Sequence, residues 1–251
     1  MPMQARKKAE SGIYHVMLRG IDRQQIFEDD EDYCHFLDIV QEYHELCLFD
    51  LFAYCLMGNH VHMLLKVRDE SLETIFKKIG GKYVYYYNVK YQRVGHLFQD
   101  RFRSEPVEDD AYFLMVLRYI HQNPVKAKLC RSVSEYTYSS YAEYFHDSTI
   151  IDTQFALSML PKDQFVEFNS QKNEDQCLEI ANPVRRAVTD EQAKKIIEKI
   201  SHCRTITEFQ ELDAKSKERF IPKIYKKGVS IRQLSRLTGT SKGVVEKCLK
   251  N

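Results

Sequence analysis

Two apolar runs joined by a tight turn signal restrict this chain more than any other feature. "LFDLFAYCLM" (48–57) is followed by Gly58-Asn59 and then by "HVHMLLKV" (60–67). Such runs flanking a Gly-Asn pair read as two antiparallel strands of one hairpin. In an extended strand alternate side chains share a face, so His60 and His62 stand side by side. Two neutral imidazoles on one face form a two-pronged grip for a metal ion. The same pattern also fits two ordinary histidines on a half-buried strand.

Around this hairpin, strand and helix signals alternate. "GIYHVMLRG" (12–20) is a strand with glycine at both ends. "DDEDYCHFLDIVQEYHELC" (29–47) opens on acids, favourable at a helix N-terminus, and spaces Tyr33, Phe36, Leu37, Ile39, Val40 and Tyr43 helically. "SLETIFKKIGGKYVYYYNVKY" (71–91) is a second helix, strained by Gly80-Gly81. "HLFQDRFRSEPVE" (96–108) is a further strand, and "DDAYFLMVLRYIHQN" (109–123) a third helix stopped by Pro124. This order predicts an α+β fold: a ferredoxin- or RRM-like antiparallel sheet with helices on one face.

Beyond about residue 145 the texture changes. The expected division is a catalytic domain over 1–145, a polar connecting segment over 146–188 and an all-α domain over 189–251. Thr189 with Gln192 has the spacing of a capping box. In "VSIRQLSRLTGTSKGVVEKCLK" (229–250), Ser230 and Ser241 cap two short helices separated by Thr238-Gly239-Thr240, the pattern of a helix-turn-helix. An ordinary helical hairpin has the same pattern, but Ser241, Lys242, Lys247 and Lys250 in the second helix favour DNA contact.

Bulk charge is uninformative, with Lys+Arg 37 against Asp+Glu 36. Its distribution says more: acids gather at 27–33 and bases dominate 215–250, a candidate phosphate-binding module. Seven cysteines without a CxxC pair fit a reducing cytoplasm, with Cys34, Cys47, Cys55 and Cys130 expected to be small buried residues. No apolar run reaches spanning length and no signal-type segment is evident, so no membrane partner is expected.

"LRYIHQNPV" adds the second half of a site. Tyr119 and Asn123 lie four residues apart, on one helix face. His60, His62 and the Asn123 amide oxygen would hold Mg²⁺ or Mn²⁺, with water and a phosphate oxygen completing the shell. Tyr119 would attack the phosphorus and form a covalent phosphotyrosine. A phenol with an ordinary pKa near 10 needs help at neutral pH, which the metal supplies by stabilising developing charge. Tyr83, Tyr85, Tyr86, Tyr87 and Tyr91 compete for this role, or else pack the helix and stack on bases. Tyr112, two turns from Tyr119, reads as core. Gln99, Arg101 and Arg103 alternate on one strand face to follow DNA, with His96 ahead of them and Arg19, Arg6, Lys7 and Lys8 near the amino terminus.

"YHVMLRG", "GNHVHMLL", "GHLFQDRFRS", "LRYIHQNPV" and "YSSYAEY" occur in the order seen in REP-associated tyrosine transposases, and residues 10–145 resemble that single-tyrosine branch of the HUH superfamily. The resemblance implies cleavage and rejoining of single-stranded DNA beside a hairpin, through a 5′-phosphotyrosine with a free 3′-OH. It assigns the HUH histidines to His60 and His62, the nucleophile to Tyr119 and the third ligand to Asn123, where some relatives carry Gln. It implies a hairpin-bearing single strand as partner, either a monomer or a homodimer, no small-molecule cofactor, and a cytoplasmic, nucleoid-associated protein. Two other readings remain: a non-catalytic DNA-binding regulator with the same fold, and a His-x-His hydrolase that activates water.

Overall fold

The computed structural model describes residues 7–146, 150–173, 175, 177–178, 190–203 and 205–249. Thr189, Arg6 and Lys250, singled out above, lie outside them. The chain forms two compact units, Met1–Glu179 and Ile180–Asn251.

In the first unit β1 (Ile13–Arg19), β2 (Asp50–Met57), β3 (His60–Lys66) and β4 (Arg103–Pro106) form one sheet in the order β2-β3-β1-β4. Every neighbouring pair is antiparallel. This is the ferredoxin-like arrangement expected from the sequence. Helices α1 (Asp30–Cys47) and α2 (Leu72–Lys90) pair through Phe36 and Tyr83, whose rings meet edge to face at 5.1 Å. The side chains of Asp29 and Ser71 cap their N-termini by accepting the Asp32 and Thr74 N–H groups. Gly80-Gly81 leaves α2 unbroken, since its flanks Ile79 and Tyr83 are fully buried and packing outweighs glycine's weak helix propensity. Helix α3 (Asp110–Lys126) covers the opposite sheet face, so the one-sided layer holds for α1 and α2 only.

Three boundaries differ from the sequence reading. Helix α3 runs through Pro124 to Lys126. A proline there forfeits a single ladder bond, and one further turn closes with the Ala127 N–H donating to the Asn123 carbonyl at 2.9 Å. Of the expected strand 96–108 only β4 forms a strand of the sheet, Phe98 adding a single antiparallel bridge to Gly20. Residues 96–102 form a loop pinned to the turn after β1: the Ile21 N–H and Gln24 Nε2 donate to the Leu97 carbonyl, and the Gln99 N–H donates to the Arg19 carbonyl. Gly20 permits that turn, because a Cβ there would fall 2.3 Å from the Gln24 carbonyl oxygen.

The third difference concerns the expected connector. Helices α4 (Thr153–Met159) and α5 (Lys162–Ser170) belong to the first unit. Phe165 is fully buried and stacks on Tyr144 with ring centroids 4.4 Å apart. Arg118 pairs with Asp175 at 2.8 Å. Gln122 Nε2 donates to the Asn169 and Gln171 carbonyls. His121 sits between Asn169 Oδ1, 3.1 Å from its Nδ1, and Ser140 Oγ, 3.0 Å from its Nε2.

Burial holds the His121 pKa down at about 4, against a partial offset from the Asn169 hydrogen bond. The unfolded chain therefore takes up this proton first, near pH 6.5, while the folded chain resists until about 4. Stability from this residue is complete above about pH 6.5 and lost as pH falls towards 4, by an amount on the order of 3 kcal/mol. Thermal melts between pH 7.5 and 4.5 should show this decline, and His121→Gln should make it shallower, the buried site histidines keeping their own share.

The second unit contains α6 (Asp190–Ser201), α7 (Ile206–Gln210), α8 (Ala214–Lys226), α9 (Ile231–Thr238) and α10 (Lys242–Cys248) around Phe209, Ile221, Ile224, Leu234 and Val245. Ser230 and Gln233 make a capping box at α9, and Gly239 turns the chain with φ +63°. No helix of the described residues is long and apolar enough to cross a membrane. Cys47 and Cys55 are buried as expected, whereas Cys34 is exposed and Cys130 partly so. Cys34 falls on an outer face of α1, where the helical repeat, not residue type, sets exposure.

Candidate active site

The strand register assembles the site. On β3, His62 lies opposite Met17 of β1 and Cys55 of β2, while His60 lies opposite Arg19 and Met57. Alternation turns both imidazoles to the face that α3 covers. Asp109 caps α3 by accepting the Tyr112 N–H at 2.8 Å, which helps fix where this helix starts. Its Tyr119 ring then meets the His62 ring edge-on at 5.6 Å and the His15 ring at 5.8 Å. Tyr119 is 5% exposed, and Lys126 Nζ lies 5.0 Å from its ring centroid. One turn on, Asn123 hydrogen-bonds His60. The two histidines, the tyrosine and the asparagine thus meet within one chain.

Electrostatics keeps both imidazoles neutral. Burial, then the Arg19 charge, lowers His60 to about 4, with the Asn123 hydrogen bond opposing. Burial, then His15, His60 and Arg19, holds His62 well below its ordinary value. His60 Nδ1 lies 2.6 Å from Asn59 Oδ1. His62 Nδ1 lies 2.9 Å from His15 Nε2. Each ring therefore has its Nδ1 engaged, which leaves Nε2 as the nitrogen that could serve as a ligand, that of His60 being the one left to meet Asn123.

These groups fit a divalent cation. No cluster of three or more His, Cys, Asp or Glu side chains suited to a metal occurs among the described residues, so the third protein donor would be the Asn123 amide. Its Nδ2 is buried with no partner among them, which leaves the amide only partly satisfied. Two imidazoles and one carbonyl oxygen leave room for water and phosphate oxygens, as Mg²⁺ or Mn²⁺ requires.

The remaining predicted DNA residues fall into separate groups. Arg19 joins the site: burial, then Arg23 and Arg103, lowers its pKa, while Tyr119 acts in the opposite sense. Its Nε is buried without a partner among the described residues. Arg103, opposite Met17 on β4, therefore belongs with it. His96, Gln99 and Arg101 do not continue that strand face. They line a cavity of about 600 Å³ between the 96–102 loop and α2, with Phe76, Gly80 and Phe98. In the second unit the Ser241 hydroxyl accepts the Val244 N–H and caps α10. Lys242 is exposed and 3.7 Å from Glu246, and Lys247 lies in the last turn of α10.

The tyrosines of α2 are used elsewhere. Tyr83 is fully buried and donates to the Ile26 carbonyl. Tyr87 donates to Glu28 at 3.0 Å, and Tyr86 and Tyr91 donate to Asp32 at 3.1 and 2.8 Å. Burial, then Glu28, pushes the Tyr87 phenol up to about 12. These hydroxyls fasten α2 to the start of α1; only Tyr85 points outward, at 74% exposure. The sequence reading missed His15, Glu105 and Lys126. Alternation of "YHVMLRG" places His15 on the Arg19 face and could have revealed the first.

The antiparallel sheet thus carries two imidazoles beneath a helix-borne tyrosine. Residues 8–123 match the family described as "Transposase IS200 like". The chain is 30% identical over 105 residues to a Haemophilus influenzae protein named "Putative REP-associated tyrosine transposase", covering 37% of this chain and 59% of that relative. The chain thus spans somewhat over half the length of that relative. A solved REP-associated tyrosine transposase bound to a REP hairpin has the same fold, with a TM-score of 0.50 and 17% identity over 58% of this chain and 86% of that one.

Proposed function

We propose that the first unit cuts and rejoins single-stranded DNA beside a hairpin, with Tyr119 as nucleophile. The observation that carries this reading is the convergence of Tyr119, His60, His62 and Asn123 within one chain. In the cutting step a bond forms between the Tyr119 oxygen and phosphorus while the bond from phosphorus to the 3′ oxygen breaks. The phenol proton leaves, the departing oxygen gains one, and the 5′ end stays on the protein. Because the phosphodiester becomes a phosphotyrosine ester, little bond energy is lost and a 3′-OH can reverse the step. Bound by His60, His62 and Asn123, Mg²⁺ or Mn²⁺ would supply Lewis-acid stabilisation of charge on the phosphoryl oxygens. Arg19 and Arg103 orient the phosphate backbone at the site. His96, Gln99 and Arg101 hold a flanking stretch of DNA, and the cation–π contact of Lys126 orients the Tyr119 ring.

The α9–α10 pair serves as a helix-turn-helix, with Lys242 and Lys247 meeting duplex or hairpin phosphates. Ser241 contributes its main chain, its hydroxyl being engaged in the cap. The protein acts on chromosomal DNA in the cytoplasm.

The test is incubation with a labelled hairpin-flanked single strand and Mn²⁺, followed by denaturing electrophoresis. A denaturant-resistant adduct supports the reading. Binding without an adduct would leave a DNA-binding regulator, and cleavage without one a water-activating hydrolase. His60→Ala should remove the adduct and keep most of the affinity. Binding should weaken steeply with salt, and Arg19→Ala or Arg103→Ala should each flatten the log–log slope by about 0.7, the value for one single-strand phosphate contact.

A further inference from the structure

Behind His62 lies a row of polar groups that the cutting chemistry above does not use. His15, at the centre of β1, is fully buried, and His62 is 2% exposed. His15 Nε2 is 2.9 Å from His62 Nδ1, and His15 Nδ1 is 2.8 Å from Glu105 Oε1 on the neighbouring β4. The β1–β4 register places Glu105 directly opposite His15. Glu105 is further held by hydrogen bonds from the Tyr112 hydroxyl and the Leu178 main-chain N–H. Burying two imidazoles in a sheet core, beside a carboxylate that is itself only 24% exposed, is costly unless every polar atom is matched, and apolar side chains would fill the space at lower cost.

The order of the row fixes where its protons sit. An ionised carboxylate only accepts hydrogen bonds, so the proton shared with Glu105 belongs to His15 Nδ1. A neutral His15 then has a lone pair on Nε2, which accepts from His62 Nδ1–H. His62 is left with its lone pair on Nε2. The chain of bonds carries the carboxylate's acceptor character through two rings to the nitrogen that a cation requires. His60 reaches the same tautomer by a different route, through Asn59 Oδ1.

We propose that Glu105 and His15 are positioning residues that lock His62 in its Nδ1–H tautomer and fix its ring, keeping Nε2 ready for the metal. Neither residue touches substrate. This rests on the reading of the site as a divalent-metal DNA-cleaving centre, but the tautomer itself can be examined without metal or DNA. Outer partners that orient a metal-bound imidazole are generally worth 10- to 100-fold in metal affinity.

The test uses full-length protein labelled with ¹⁵N-histidine, metal-free, in long-range ¹H–¹⁵N correlation spectra at pH 7.5, with signals assigned by single histidine substitutions. His15 and His62 are expected as Nδ1–H tautomers with unprotonated Nε2. A His62 signal from an Nε2–H tautomer, or one averaged between tautomers, overturns the proposal, and the wild-type spectrum decides this even where a variant does not fold. Glu105→Gln keeps the shape but can donate as well as accept. It should mix the His62 tautomers and weaken Mn²⁺ binding, followed by electron paramagnetic resonance, at least tenfold, with metal-free hairpin affinity unchanged. His15→Gln should do the same. Unaltered His62 tautomer and Mn²⁺ affinity in both folded variants would refute the relay while leaving DNA cleavage by the wild type intact. Wild-type protein that binds Mn²⁺ but forms no DNA adduct would instead refute the cleavage reading and leave the tautomer result standing.

Discussion

Replacing Tyr119 by Phe should abolish covalent capture of DNA and reduce strand cleavage by at least about a thousandfold, since no other group can accept the phosphoryl. The phenyl ring keeps its edge contacts with His15 and His62 and its place under Lys126. Folding and hairpin affinity should therefore change little, which separates loss of the nucleophile from loss of the fold. Gel assays of adduct, cleavage and binding on one preparation provide the check. The α2 tyrosines offer no substitute: Tyr83, Tyr86, Tyr87 and Tyr91 direct their hydroxyls at Ile26, Asp32 and Glu28. Tyr83→Phe should accordingly leave the adduct unchanged.

The second large effect is on stability. Phe165→Ala should destabilise the first unit by about 3–5 kcal/mol, the usual cost of emptying a fully buried phenylalanine site. Phe165 is stacked on Tyr144 and lies 5.9 Å from the rings of both His121 and Tyr141. These partners belong to α3 and to the "YSSYAEY" stretch, so the cavity would open beside the helix that carries Tyr119. Urea unfolding followed by tyrosine fluorescence should show a lower midpoint with unchanged slope. A loss below 1 kcal/mol would mean that α4 and α5 belong to a loose connector, as the sequence reading of 146–188 has it.

How the sequence could mislead there is instructive. Residues 167–183 are polar and rich in turn formers, and α4 and α5 are too short for a strong helical period. Their place in the fold depends on the aromatics Phe155, Phe165 and Phe168 and on amide hydrogen bonds to α3, contacts that no local pattern encodes. The hairpin and the paired histidines were legible because alternation along a strand is local and strict. Tyr119 and Asn123 were legible because a four-residue spacing is a helix face, and it survives even though Pro124 does not end the helix. His15 and Glu105 depend on the register between β1 and β4, a non-local fact. Gln99 and Arg101 were misplaced because alternation cannot show that the loop after α2 is held at the end of β1 and the turn following it without continuing as a strand. In the second unit, Ser230, Gly239 and Ser241 marked both helices correctly, since caps and positive φ are written in single residues.

The central claim is that the tyrosine facing His60 and His62 is the residue that takes the DNA. Digestion of the protein–DNA adduct with nuclease and trypsin, followed by mass spectrometry, tests it most directly. The nucleotide remnant should sit on the peptide "YIHQNPVK" (119–126), attached to Tyr119. A remnant on "YVYYYNVK" (83–90), or efficient cleavage with no modified peptide at all, would contradict it.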